Sequence, residues 1–248
     1  MFMQIEWIIK EAAQWKIELS PEQGLLFEKY YRILTYYNQK FNLTRITGKN
    51  EILEEHFLDS LAGFSLGLEK AGEELLDLGS GAGFPGLPIK IFLPDLQLHL
   101  VDSRRKKILF LRKAVRELEL KKITFLQKRA EELGQGEGRE KYGWVTARAL
   151  APLNVAVELA LPLIKIGGYF WAFKGQGFKA ELREAEKIIE KCGGRLQKTI
   201  TYTLPHAKKK RSLLLFKKVQ HTDDRFPRKA GLPQKRPVVS QNPSSFPS

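Results

Sequence analysis

The sequence predicts an α/β fold: a mostly parallel, seven-stranded sheet with helices on both faces, an antiparallel last strand, and a set of helices in front of it. Three observations carry this. Apolar residues recur at helical spacing through the first sixty residues. From residue 74 short apolar runs alternate with helix-like stretches. The last two runs stand too close together for a crossover helix.

The N-terminal helices come first. Ser20-Pro21-Glu22-Gln23 is a helix start, with Ser at the N-cap, Pro at N1 and Gln at N3. Leu26, Tyr30, Ile33, Leu34 and Tyr37 follow as a stripe of period 3.6. After the polar loop FNLTRITGKN, Asn50 is placed to cap a second helix with Ile52, Leu53, Phe57, Leu58 and Leu61 facing inward. On that helix His56, Asp59 and Ser60 stand at i, i+3 and i+4 and share a side. Strands are expected at 74–78, 97–101, 123–126, 143–147 and 168–173, and helices at 85–93, 103–119, 151–165 and 177–192. Each helix carries the chain back across a face, so the strands run parallel. RLQKTITYTL and SLLLFKKV, joined by PHAKKKR, then pair antiparallel at the sheet's end. From about Thr222, Pro, Ser, Gln and basic residues dominate, so loose order is expected there, at least after Val239. The implied organisation is a helical cap (1–70), a ligand-binding core (71–221) and a basic, partly disordered tail (222–248).

Of the 248 residues, 43% are hydrophobic and 28% charged, which fits a soluble globular chain. The longest mostly apolar stretch, Ala149 to Ile166, is broken by Pro152, Asn154, Glu158 and Pro162, so no membrane span and no membrane partner are expected. The N-terminus carries Glu6 and Glu11 and lacks a small-residue cleavage site, so no signal peptide is expected. A lone cysteine, Cys192, allows no internal disulfide and fits a reducing, cytoplasmic setting. No exposed apolar stripe stands out, which fits a monomer. The formal net charge is +14, and residues 208–248 carry eleven Lys/Arg against Asp223 and Asp224. That asymmetry points to a polyanionic partner, nucleic acid or an anionic membrane, unless the tail is only a solvated basic arm. The four histidines are scattered without ligand spacing, so no metal site is expected.

The chemistry centres on LLDLGSGAGFPGLPIKIF, residues 75–92. Glycines 79, 81 and 83 permit a tight turn and close approach of a ligand to the backbone. A helix beginning near Pro85 leaves free N–H groups facing that turn. The next strand ends in Asp102, where a carboxylate can accept two hydrogen bonds from a ribose diol. A nucleoside-containing cofactor follows. Gly81-x-Gly83-x-x-Gly86 formally matches a dinucleotide fingerprint, but the glycines begin at Gly79 and Asp77 sits at the strand's end. D-x-G-x-G-x-G describes the turn better, and it resembles motif I of the class I S-adenosylmethionine-dependent methyltransferases, whose Rossmann-like sheet also ends in an antiparallel strand. The competing reading, a nicotinamide-dependent oxidoreductase, can point to Tyr36-x-x-x-Lys40, the spacing of short-chain reductases. That pair precedes the glycine turn and lies on a helix assigned to the core. A third reading is a non-catalytic RNA-binding protein on the same fold.

Several segments together resemble one family, the bacterial small-subunit ribosomal RNA methyltransferase G, also called glucose-inhibited division protein B. They are NLTRIT (42–47), HFLDSL (56–61), DLGSGAGFPGLPIKI (77–91), VDSRRKKILFL (101–111), RAEEL (129–133), VTARALAPL (145–153), GGYFWAFKG (167–175) and FPRKAGLPQKRPV (226–238). Ala147 stands where serine is common, and the segment after Val239 goes beyond the family pattern. The resemblance implies S-adenosylmethionine as cofactor and N7 of a guanine in 16S ribosomal RNA, free or in the small subunit, as target. It implies cofactor contacts from Gly79 and Phe84 in the turn, from Asp102 and Ser103 by the ribose, from Ala130 and Glu131 around the adenine, and from Arg148. Asp77 and Gly81 belong to the same turn and are grouped with them. Glu131 also reads as a carboxylate favoured at a helix N-terminus.

N7 of guanine carries an unshared in-plane pair, so attack on a sulfonium methyl requires no general base. The sequence agrees: it has neither an [N/D]PP[Y/F] motif for exocyclic amines nor a cysteine pair for pyrimidine carbon-5. Asn42, Thr44, His56, Asp59 and Arg148 are the candidates for holding the base edge-on. Asn42 reads equally as a turn cap, and His56 with Asp59 as a buried polar pair. Lys208, Lys209, Lys210 and Arg211 at the hairpin turn, and Arg228, Lys229, Lys235 and Arg236 in the tail, are the candidates for the RNA backbone. Prolines 227, 233 and 237 suit a stiff, groove-lying strap better than a helix, or an arm that orders on RNA.

Overall fold

A computed structural model of the chain describes residues 3–65, 67 and 74–240. Helix α1 (Met3–Gln14) leads into α2 (Pro21–Phe41), α3 (Lys49–Ile52), a π-helical turn (Leu53–Leu58) and α4 (Asp59–Ser65). Ser20 caps α2 through a reciprocal capping box with Gln23. The Gln23 amide also donates to the Ile91 and Phe92 carbonyls, both at 3.0 Å, which ties the start of α2 to the end of a sheet-covering helix. The expected stripe is present with Phe27 added: Phe27, Tyr30, Ile33 and Leu34 are buried, while Leu26 and Tyr37 are only half-buried. Gly48, and not Asn50, occupies the N-cap of the next helix. The wider π spacing buries every residue from Leu53 to Asp59, so Glu54, Glu55, His56 and Asp59 go inward with the apolar face.

The sheet then forms in the expected order. Strands β1 (Glu74–Leu78), β2 (Gln97–Val101), β3 (Ile123–Leu126), β4 (Tyr142–Arg148) and β5 (Ile164–Lys174) run parallel. Helices α5 (Gly86–Phe92), α6 (Arg105–Glu117), α7 (Ala130–Gln135), α8 (Leu153–Ala160) and α9 (Phe178–Lys191) connect them and lead on. Strands β6 (Gly194–Thr203) and β7 (Lys210–Lys218) finish the sheet in the order β3-β2-β1-β4-β5-β7-β6. The last strand of the chain is therefore not the last in the sheet. It is antiparallel to both neighbours and fills the gap between β5 and β6. Strand order reverses between β1 and β4, which opens a crevice at the carboxyl ends of those strands.

One core lies on each face. On one, α8 and α9 cover Leu76, Val145 and Phe170. On the other, α2 and the π-turn pack with α5 and α6 over Leu75, Trp144 and Trp171. In its described part the N-terminal cap is thus a layer of the same core. Residues 222–240 differ from the expectation of loose order. Phe226 is buried, the Arg139 guanidinium donates to Phe226 O at 2.8 Å and Thr222 O at 3.0 Å, and Gln135 donates to Pro227 O at 2.9 Å. Arg228 forms paired bonds with the buried Glu158, and a one-turn helix, α10 (Leu232–Lys235), follows where a non-helical strap was expected. The question of order after Val239 falls mostly on residues 241–248, outside the described residues. Among the described residues no helix is long and apolar enough to cross a membrane.

The contact between α4 and the sheet leaves no slack. A Cβ on Gly63 would stand 2.2 Å from the six-membered ring of Trp171, itself 1% exposed. Gly63→Ala therefore lowers unfolding stability by about 1–3 kcal/mol, because overpacking outweighs alanine's better helix propensity. Denaturant titration is the measurement, and a stabilised variant would contradict the packing described.

Candidate functional site

The glycine turn is built by hydrogen bonds that the chain makes to itself. Gly79 N and Ser80 N both donate to Val101 O at 2.9 Å, while Ser80 Oγ donates to Asp77 O at 2.8 Å and accepts from Val101 N at 3.0 Å. Tyr30 of α2 donates its hydroxyl to Ala82 O. Gly79 has φ +74° and Gly83 φ +95°, the left-handed region open to glycine. Several N–H groups expected to face a ligand are engaged internally: Gly86 N on Asp77 Oδ2 at 3.1 Å, Leu87 N on Gly83 O at 2.8 Å, and Gly81 N on Asp102 Oδ2 at 3.1 Å. Asp77 is fully buried, and its Oδ1 has no partner among the described residues. Burial pushes its carboxyl up to about 7.

Beside the turn lies a cleft of about 420 Å³ at the carboxyl ends of β1, β2 and β3. Gly79, Asp102, Ser103, Ala130 and Glu131 line it as expected, and Val155 and Leu159 of α8 give it an apolar wall. Both oxygens of Asp102 are occupied, by Gly81 N and by the fork of Arg104, whose side chain is 64% exposed. The tail contributes too: Pro233 and Gln234 line the cleft, and Gly231 N donates to Glu131 Oε1 at 2.7 Å. The other expected cofactor residues, Asp77, Gly81, Phe84 and Arg148, are not in its lining. Asp77 and Gly81 shape the turn beneath it. Phe84 faces the other way, stacking on His56 at 4.3 Å between ring centroids.

Arg148 and His56 line a second cleft, of about 350 Å³. The two clefts share Ala149, whose φ of +52° is uncommon for a residue with a side chain. Arg148 donates to Asp59 Oδ2 at 2.9 Å, to Glu55 O at 3.0 Å and to His56 Nδ1 at 3.1 Å, and its guanidinium lies 5.0 Å from the Phe84 ring centre. Arginine has no acceptor, so Nδ1 must be the lone-pair nitrogen and Nε2 carries the hydrogen, which points to Thr44 Oγ1 at 2.9 Å. Burial and the facing Arg148 charge push His56 down to about 2. The ring is neutral and its one lone pair is taken. Tyr202 donates its hydroxyl to Asp59 Oδ1 at 2.8 Å.

The remaining expected residues separate. Asn42 is exposed and forms the left-handed C-cap of α2, its N–H on Asn38 O at 3.0 Å, so the turn-cap reading describes it and it does not line the Arg148 cleft. Lys209 and Arg211 pair with Glu55 at 2.6 and 2.9 Å, and Arg228 with Glu158 at 2.6 Å, so these three cations are engaged within the fold. Lys208, Lys210, Lys229, Lys235 and Arg236 are exposed. Tyr36 and Lys40 bond to each other on the exposed face of α2 and line neither cleft, which removes the reductase-like pair from the site. Sequence reasoning missed Glu55, Tyr202 and the tail residues of the glycine-turn cleft. Lys107 is buried and donates to Leu43 O at 2.9 Å, holding the 42–47 loop on α6. Glu158 did carry a signal, a lone charge inside an apolar helix, which calls for a buried partner.

The sequence pattern of the family described as rRNA small subunit methyltransferase G matches residues 23–214. The chain is 42% identical over 239 residues to the ribosomal RNA small subunit methyltransferase G of Lactobacillus acidophilus, covering 95% of this chain and 100% of that one. It is also 42% identical over 238 residues to the protein of the same name from Alkaliphilus oremlandii, covering 95% and 100%. Among solved structures, TrmN from Thermus thermophilus superposes with a TM-score of 0.50 at 19% identity, covering 67% of this chain and 53% of that one. M. jannaschii TYW2 in complex with AdoMet superposes with a TM-score of 0.51 at 11% identity, covering 71% and 80%. At those identities the structural likeness speaks for the fold alone.

Asp77 and His56 give opposite pH signatures. Asp77 holds a proton in the folded state that the unfolded chain releases above its ordinary 3.8, so its contribution falls as pH rises toward about 7. His56 stays neutral in the fold, so its contribution falls as pH drops below 6.5. Asp77→Asn cannot ionise. Its stability relative to the unmodified protein therefore rises from pH 5 to pH 8, and parallel denaturant titrations showing a flat difference would refute the buried, protonated Asp77.

Proposed function

The chain belongs to the rRNA small subunit methyltransferase G family, and from that premise we propose that it methylates N7 of a guanine in small-subunit ribosomal RNA, using S-adenosylmethionine. The observation that carries the reading is the junction of two clefts at Ala149, one suited to a nucleoside cofactor and the other headed by Arg148.

The residues of the first cleft fit the cofactor. Gly79 brings backbone without a side chain, Ala130, Val155 and Leu159 offer apolar contact to a purine, and Asp102 and Glu131 offer carboxylates at adjacent strand ends. Asp102 becomes available to a ribose diol once the exposed Arg104 side chain swings off it, while Gly81 N keeps the carboxylate aimed. S-adenosylmethionine supplies a methyl group activated on a sulfonium, so the protein need only align the acceptor.

The second cleft fits that division of labour. A neutral His56 whose lone pair is held by Arg148 is unsuited to act as a base, and an N7 acceptor requires none. Arg148 Nε–H lies outside the bonds to Asp59, Glu55 and His56 and is available to a base carbonyl such as guanine O6. Phe84, stacked on His56, forms the rigid backing that keeps the guanidinium in place. Alignment of this kind is worth about 7–11 kcal/mol in favourable cases.

Incubation with labelled S-adenosylmethionine and small-subunit RNA or subunits, followed by mass-spectrometric mapping, tests the reading: the label lies on N7 of a guanine, and no transfer to any ribosomal RNA would defeat it. Arg148→Lys keeps the charge but loses the fork, so kcat falls about 10²-fold with little change in cofactor affinity. A collapse of cofactor affinity instead would move Arg148 into the cofactor site.

A further inference from the structure

A third concavity continues the line of the other two. It is a trough of about 670 Å³ between the start of α9 and the facing ends of β6 and β7. Tyr202 and Arg211 line both this trough and the Arg148 cleft, just as Ala149 lines both the Arg148 cleft and the glycine-turn cleft. The sequence of compartments is therefore continuous along the carboxyl edge of the sheet.

The charge in them differs. The middle cleft sets Glu55, Asp59 and Glu181 against Arg148, Lys174 and Arg211, whereas the trough is lined by Lys179, Arg183, Lys210 and Arg211 and by no acidic residue. The ion pairs at this end use Lys174 with Glu181, and Lys209 and Arg211 with Glu55. They leave Lys179, Arg183 and Lys210 exposed on the trough walls. Lys179 and Arg183 stand at i and i+4, on one side of a helix whose Phe178, Leu182 and Ala185 are buried. Like charges so placed destabilise a helix in isolation, and an anion between them reverses the sign.

We propose that this trough seats the RNA sugar–phosphate strand adjoining the target guanine, with Lys179, Arg183 and Lys210 as phosphate ligands. The assignment rests on the proposed function in one respect, that the Arg148 cleft takes the base. A nucleobase presents both donors and acceptors, which suits the mixed middle cleft, and its backbone presents phosphates, which suit a trough lined by cations alone. The trough lies on the side of the base cleft away from the cofactor, so a strand entering there reaches the methyl group without crossing the cofactor's own cleft. Neither Lys179 nor Arg183 belongs to the basic runs of the hairpin or tail, where charge counting places the RNA.

The test uses the full chain and a small-subunit RNA fragment in salt-titrated binding. Lys179→Glu/Arg183→Glu lowers the slope of log affinity against log salt by about 1.4, near 0.7 for each lost single-strand phosphate contact, and raises the KM for RNA about tenfold. S-adenosylmethionine affinity, read by calorimetry, stays unchanged and reports that the fold is intact; the Gln pair serves if the Glu pair fails that check. Lys121→Glu, a control at the opposite edge of the sheet, leaves the slope as it was. An unaltered slope in the double variant, an equal loss in the control, or no RNA binding by the unmodified protein overturns the assignment. Trough-dependent RNA binding without methyl transfer would instead overturn the proposed function and leave the trough standing.

Discussion

The Arg148 guanidinium, at the end of a central strand, is held by three residues of one helix that precedes the entire sheet in sequence. Asp59 takes it as a carboxylate, Glu55 through its carbonyl and His56 through its ring nitrogen. Asp59 is 3% exposed and Arg148 14%, so neither charge could stay there alone. Removing one partner of such a buried pair costs about 3–5 kcal/mol, because the other is left without water or counter-charge. The constraint propagates. The π-turn must bring Glu54, Glu55, His56 and Asp59 inward together, and Glu54 and Glu55 then bind the β6–β7 hairpin through His206 N, Ala207 N, Lys209 and Arg211. One helical irregularity thereby fixes the ends of three strands and the shape of the cleft between them.

Four buried acidic residues around the glycine-turn cleft and α8 hold the protein's own backbone. Asp77 holds Gly86 N, Asp102 holds Gly81 N and Arg104 N, Glu131 holds Gly231 N, and Glu158 holds Arg228 N. Each closes a loop that the sequence leaves open, and together they set the floor and far wall of the glycine-turn cleft. Two of these carboxylates face the cleft, so the same bonds that shape it also orient the groups that would grip a ribose or purine. Preorganisation of that kind lowers the ordering that a ligand must impose.

Much of this was legible beforehand. The parallel strands, the glycine turn and the Ser20 cap fall within a residue or a few of where periodicity and turn chemistry place them, because burial period and cap geometry are local properties of a few neighbouring residues. The acid at the end of β2 was legible for a related reason, since strand ends converge on the crevice, whereas Ser103, Ala130 and Glu131 were named from the family resemblance. Asn42 was named for its polar loop, yet its left-handed backbone ends α2 and it stays outside the lining of the Arg148 cleft.

What the sequence determined by itself was the alternation of elements, the glycine turn and the inward faces of the N-terminal helices, since each is set by spacing along the chain. Only the tertiary structure decided which charges are free. Lys209, Arg211 and Arg228 look the same in sequence as Lys179, Arg183 and Lys210, yet the first three are paired with buried carboxylates many residues away. The tail made the same point: its polar and basic composition suggested loose order, yet Phe226 is buried and the backbone is held by Gln135, Arg139 and Glu158. Pairing between polar groups is a matter of distance in space, and no periodicity records it.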